Sequence, residues 1–251
     1  MKNKVVTMLV CAAFGVAHDA AAQTTWADRG YINVGFGVES GSSSITGTRT
    51  STIYDEAATV TSSSSFSSGS LFDIGAGLRV WKNLTAGVSY HQEQNDSEGA
   101  ITGSIPSPLF FNRPRTLSVA AAGLERKEQG THIQIGWVVP VGQKFDILVS
   151  AGPSFFRLQQ DVVSSVTPTE IGAPFTSVTA QVGRETRKKS EIGYNVGADV
   201  SYLVWQNDSV RLGGGMFFRY TQATMQILGL STEQDTDVGG MQIGFGARIR
   251  F

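Results

Sequence analysis

Cysteine, histidine and long apolar runs are what this chain has least of. One cysteine occurs in 251 residues. It is Cys11, inside the first 22 residues, so residues 23–251 hold neither a disulfide nor a thiolate ligand. A lipid anchor on Cys11 is disfavoured by the bulky Val10 before it and by the apolar residues that continue past it. Beyond residue 22 no stretch approaches the roughly 20 apolar residues that a membrane-spanning helix needs. Of the three histidines only His91 and His132 lie past that point, which leaves little material for acid–base or metal chemistry. Neither sign of charge dominates, with 20 basic and 21 acidic residues and a formal net charge of −1. That balance gives nucleic-acid binding no electrostatic footprint.

The first 22 residues have the order of an export signal. Lys2 and Lys4 precede an uncharged, largely apolar run over Val5–Ala17, and the small-residue segment ending at Ala22 fits a cleavage site. The expected organisation is therefore a signal peptide over 1–22, a short periplasmic segment over 23–29 and one domain over 30–251.

What is abundant is glycine, 29 residues of it, set into strict alternation. The closing stretch GGMQIGFGARIRF (239–251) puts Met241, Ile243, Phe245, Ala247, Ile249 and Phe251 on one parity and Gln242, Gly244, Gly246, Arg248 and Arg250 on the other. A period of two is a strand, because successive side chains point to opposite faces of the pleat. YINVGFGVE (31–39), LFDIGAGLRVW (71–81), LTAGVSYHQE (84–93) and THIQIGWVV (131–139) repeat the pattern, as do FDILVSAGPSF (145–155), EIGYNVGADVSYLVW (191–205) and VRLGGGMFFRY (210–220). That makes eight strands.

Their connections alternate. Strands two and three are joined by little more than KN, four and five by PVGQK, and six and seven by QND, whereas the other four links are long and polar. Short turns on one side and long loops on the other are the outer-membrane arrangement. A strand-built membrane protein must also close on itself, since every backbone group in lipid needs a partner. The expected fold is all-β: a closed antiparallel up-and-down transmembrane β-barrel with short periplasmic turns and long extracellular loops. The strand-like segments TLSVAAAGLE (116–125) and TSVTAQV (176–182) allow a ten-stranded alternative, but without tight turns beside them they read better as projecting extensions.

In such a barrel the apolar parity faces lipid and the glycine-rich, charged parity fills an interior with room only for side chains. The expected lumen cluster is Asp73, Arg79, His91, Glu93, His132, Asp146, Glu191, Asp199, Arg211, Arg219, Arg248 and Arg250. Turning one such arginine toward lipid costs about 2–4 kcal/mol at the midplane, and a one-residue slip would reverse every face of a strand at once. Trp81 and Trp205 border short turns and belong at the periplasmic interface, where amphipathic rings concentrate. Phe251 ends the last strand there. Tyr90 and Tyr220, with Phe155, fit an outer girdle.

On these residues the chain resembles the small bacterial outer-membrane β-barrels of the OmpA transmembrane-domain and OmpX kind. The terminal MQIGFGARIRF is similar to the carboxy-terminal signal read by the barrel assembly machinery, with Phe251 as its last residue. The resemblance implies the outer membrane of a Gram-negative bacterium, contact with outer-membrane lipids and lipopolysaccharide, and loops free to meet an extracellular ligand or surface. It implies no cofactor and no nucleic acid.

Catalysis is the sharper alternative. Ser89, His91 and Glu93 share one lumenal face, which suggests a membrane-embedded lipid A hydrolase with Ser89 as nucleophile. Neighbours on one strand face lie about 7 Å apart, however, too far for direct hydrogen bonding, and the bland reading is a self-satisfied polar cluster. A metal site from His91, His132 and Glu93 has no closed ligand spacing to support it. ETRKKS (185–190) is a basic run that could meet lipopolysaccharide phosphates. A narrow channel for small polar solutes and a soluble secreted β-sandwich or lipocalin-like carrier complete the alternatives, and the leading expectation is a non-enzymatic barrel.

Overall fold

The computed structural model describes residues 25–251 other than 42, 68 and 208. The expected signal peptide, with Cys11, lies outside the described residues, as do residues 23 and 24.

Among the described residues eleven strands run β1 (Gly30–Ser40), β2 (Ser43–Ile53), β3 (Glu56–Phe66), β4 (Gly69–Trp81), β5 (Leu84–Ile105), β6 (Arg115–Val141), β7 (Phe145–Glu170), β8 (Val178–Gln206), β9 (Arg211–Leu228), β10 (Glu233–Val238) and β11 (Met241–Arg250). Eight of them close a ring in the order β1-β4-β5-β6-β7-β8-β9-β11, every pair antiparallel. The closure joins the two ends of the chain, with Tyr31 opposite Arg250 and Ser40 opposite Met241. The ten-stranded alternative is thereby excluded. Residues 116–125 belong to β6 and 178–182 to β8, so both segments lengthen ring strands instead of adding new ones.

Greasiness is distributed inside out in the lower part of the ring. Phe36, Leu78, Ile135 and Phe245 are 60–69% exposed, while Arg248 and Arg250 are 1–2% exposed. A soluble sandwich or carrier would bury the first set, so that reading falls. The outward faces change from apolar to polar at a common height, marked by Tyr90, Phe155, Tyr194 and Tyr220. The tyrosine hydroxyls find glutamines just above: Gln129 Nε2 donates to Tyr90 Oη at 2.9 Å, and Tyr194 and Tyr220 both donate to Gln222 Oε1, at 2.9 and 2.8 Å. An amphipathic ring with its polar tip toward water suits the membrane interface.

At the other rim, alternation alone would turn Trp81 and Trp205 inward. A register shift between Arg79 and Trp81, and another between Leu203 and Trp205, inserts one extra residue in each strand. A bulge of this kind re-aims the side chains that follow it. Val80 and Trp81 both face out, as do Val204 and Trp205.

Above the girdle the strands continue. β8 has 29 residues, roughly 95 Å of extended chain at ~3.3 Å per residue, several times the ~25 Å apolar band of an outer-membrane barrel. In this extension the burial pattern becomes conventional. Ala58, Val60, Phe66, Ile101, Leu117 and Leu124 form part of a dry core, and Ile45, Phe156, Leu158, Met225 and Ile227 form part of another. Gly123, at φ +68°, takes the bulge between Ala121 and Leu124 that keeps both of those side chains inside. The β2–β3 hairpin folds over this core, pairing β3 with the upper part of β5, while β10 pairs β9. The amide of Gln234 on β10 reaches the backbone of Thr46 on β2, in place of a ladder bond.

Candidate functional site

The lumen is filled from floor to roof by layers of paired side chains. At the periplasmic floor Trp26 is 1% exposed and packs with Tyr31, Val138 and Leu148. Its backbone N–H donates to Asn83 Oδ1 at 2.9 Å, and its carbonyl accepts from the Arg79 guanidinium. Arg211 is half-buried and paired with Asp28. Two expected lumen residues thus serve to hold the segment before β1 in the barrel mouth.

The next layers are ion pairs. Arg250 Nη1 donates to Asn33 Oδ1 at 2.7 Å, its Nη2 to Ser201 Oγ at 2.5 Å, and its Nε stands 3.8 Å from Asp146 Oδ2. Arg248 Nη2 meets Asp199 Oδ2 at 2.7 Å. Arg219 Nη1 meets Asp73 Oδ2 at 2.7 Å and also donates to Gln242 Oε1 at 3.3 Å. Buried charges survive only when paired and hydrogen-bonded, and each of these arginines has a carboxylate from another strand.

The histidines sit one layer higher. His91 Nδ1 and His132 Nε2 are 2.7 Å apart, and His132 Nδ1 is 2.7 Å from Ser154 Oγ. Phe156 packs edge-on against both rings. A Cβ at Gly130 would lie 2.2 Å from His91 Cε1, so only glycine leaves room for that ring. Around His91 gather Glu39, Glu128 and Gln242, with Glu93 and Arg126 lining the same cavity.

Of the expected cluster, all but Glu191 point into the barrel or its periplasmic mouth. Glu191 is exposed. The β8–β9 ladder ends at Tyr194 and Gln222, so Glu191 lies where the two strands part company and the lumen parity no longer has a wall opposite. The proposed Ser89–His91–Glu93 set does not assemble: Ser89 Oγ donates to Gln134 Oε1 at 3.4 Å, and His91 turns to His132. The serine that does meet a histidine is Ser154, yet Ser154, His91 and His132 are all 0% exposed.

Several contributors escaped the sequence reading. Alternation puts Glu39 and Gln242 in the lumen without singling them out, while Glu128, Arg126 and Ser154 lie on strand stretches or in loops whose partners only the ring supplies. Outside the membrane, Arg115 is another. It forms a bidentate pair with Glu170, with Nη2 to Oε1 at 2.7 Å, and donates to the carbonyls of Pro106 (2.6 Å) and Phe175 (3.0 Å). Tyr54 Oη adds a bond to Glu170 Oε1 at 3.2 Å. The Arg115 guanidinium holds the Glu170 carboxyl below its ordinary value of 4.5.

The ring, the inverted lower faces and the filled lumen meet a sequence-family comparison at this point: the model of the outer membrane protein beta-barrel domain matches residues 7–251. The chain belongs to that family. Membership places this barrel in the Gram-negative outer membrane, in keeping with its exposed apolar band. Among solved structures the barrel is similar to Neisserial surface protein A (16% identity, TM-score 0.40, covering 88% of this chain and 97% of the other). It is also similar to the outer membrane protein OprG from Pseudomonas aeruginosa (12%, 0.48, 91% and 98%). A third likeness is to Ail, the attachment invasion locus protein of Yersinia pestis (11%, 0.37, 88% and 99%). Comparison with curated proteins finds no match.

Proposed function

We propose that this barrel is a non-enzymatic, non-conducting outer-membrane protein whose working part is the rigid β-built extension outside the membrane. The observation that carries the reading is the dry roof over the polar lumen. Leu117, Leu124, Leu158 and Ile101 are 0% exposed; along the inner face of β6, Glu128 and Arg126 stand between His132 and Leu124, so the roof closes beyond that charged layer. A solute or a scissile bond entering from outside would have to displace two apolar clusters and then a set of buried ion pairs.

The outward faces of the extension support a surface role. Above the girdle they are polar, and Lys127, Arg157 and Lys188 come close together there, with Lys127 opposite Gln159 and Gln159 opposite Lys188. Cations just above an apolar band suit the phosphates of lipopolysaccharide, and the basic run 185–190 lies in the same patch. Loops fixed on a rigid base are natural recognition surfaces, so the polar faces higher up are offered to an extracellular ligand or surface. Phe251 and the alternating residues before it fit the assembly signal; Phe251 also closes the ring, its backbone exchanging bonds with Gly30 at 2.8 and 3.1 Å. Planar-bilayer recording of the refolded protein tests the sealed lumen. No steady single-channel current is expected, and a reproducible ohmic conductance would replace this reading with the channel.

A further inference from the structure

We propose that Glu39, His91 and Glu128 form a binding site for one divalent transition-metal cation, with zinc as the working probe. His91 Nε2 lies 3.8 Å from Glu39 Oε2 and 3.8 Å from Glu128 Oε1. One ligand atom from each of the three residues falls within 4.8 Å of the others. Bonds of about 2.0–2.2 Å to nitrogen and oxygen in tetrahedral geometry require ligand atoms roughly 3.3–3.5 Å apart. A contraction of modest size therefore closes the site around an ion.

Three independent features say that the site is built for a cation. The first is Glu128 Oε1, an oxygen of a residue 1% exposed, which has no hydrogen-bond partner and faces His91. A buried carboxylate oxygen without a partner is costly, and a metal ion would satisfy it. The second is charge. Among the described residues lining the adjoining cavity, Glu39, Glu93, Glu128 and Asp237 face Arg126 as the one cation. Arg126 spends its Nη2 on the other oxygen of Glu128, at 3.2 Å, and its Nη1 on Gln160.

The third is the tautomer of His91. Arg219 donates to Gln242 Oε1, which fixes that amide so that its NH2 faces Glu39 Oε2 at 2.7 Å and His91 Nε2 at 3.3 Å. Nε2 therefore presents a lone pair, and Nδ1 carries the proton donated to His132 Nε2. A ring that donates from Nδ1 and keeps a lone pair on Nε2, here accepting from the Gln242 amide that an ion would displace, has the tautomer of a metal-ligating histidine, with His132 and Ser154 as its orienting shell. The cavity beside the carboxylates, about 20 Å³, has room for one water as a further ligand. Ser43, Ser67 and Gly239 complete its lining.

The experiment is equilibrium dialysis of the detergent-refolded full barrel against Zn2+, repeated with Co2+ so that visible d–d absorption reports the ligand field. One equivalent per chain is expected. Glu128→Gln should weaken binding by about tenfold or more, and His132→Ala, acting only through His91, by a comparable factor. Folding of each variant is checked by heat-modifiable migration. Wild-type barrel that takes up no Zn2+ would overturn the proposal whether or not the variants fold, and so would a folded Glu128→Gln barrel with unchanged affinity.

Discussion

Arg219 and Asp73 illustrate the residue scale. Their pairing at 2.7 Å lies where neither side chain exceeds 8% exposure, so the pair's Coulomb attraction roughly offsets the cost of removing two charges from water. Removing one partner leaves the other stranded. Arg219→Ala is therefore expected to cost about 3–5 kcal/mol, and Asp73→Asn combined with Arg219→Met much less. Urea titration of the barrel refolded in vesicles measures both, and a single mutant no worse than the double would show that the pair carries no such penalty. Alternation assigned both residues to the lumen. It could not say that they meet, because residues 73 and 219 belong to strands separated in the ring by β1 and β11.

At the scale of elements, the extracellular end depends on a knot between connections. Arg115 at the start of β6 binds Glu170 at the end of β7, the carbonyls of Pro106 and Phe175, and through Glu170 the Tyr54 hydroxyl of the β2–β3 turn. Because the Glu170 carboxyl is held below its ordinary 4.5, its contribution is fully present above that pH. It is lost as the pH falls through the lowered value. Hydrogen exchange of residues 170–178 should accelerate as the pH falls through that lowered value, and Glu170→Gln should make exchange there fast and nearly independent of pH. Equal acid sensitivity in the variant would show that another group governs the knot. In the sequence these segments read as long polar connections within which 116–125 and 176–182 look strand-like and projecting. They are mostly strand, since apolar residues such as Leu117, Val119 and Val163 had no visible counterpart to pair with until the long hairpins came together.

The whole molecule has two solvents, and its faces follow them. In the lower half lipid surrounds the apolar parity, and in the upper half water surrounds the polar parity while the apolar residues turn inward. Phe245 lies between Phe36 and Met216 in the middle of the band, whereas Phe111 is 73% exposed in the β5–β6 connection. Phe245→Arg is expected to cost about 2–4 kcal/mol and Phe111→Arg close to nothing, measured by unfolding from vesicles. Equal costs at the two sites would contradict a membrane band at the height of Phe245.

The sequence by itself determined the eight ring strands, their up-and-down order and which parity meets lipid. These follow from a period of two read against turn lengths, and both are local properties of the chain. It also set Tyr90 and Tyr220 on the outward parity of their strands. Only the tertiary structure decided that Trp81 and Trp205 face out through bulges, that Glu191 falls beyond the lumen wall, and that Glu39, His91 and Glu128 converge. Contacts across a closed ring depend on the register of every strand between them, and no window along one strand carries that information.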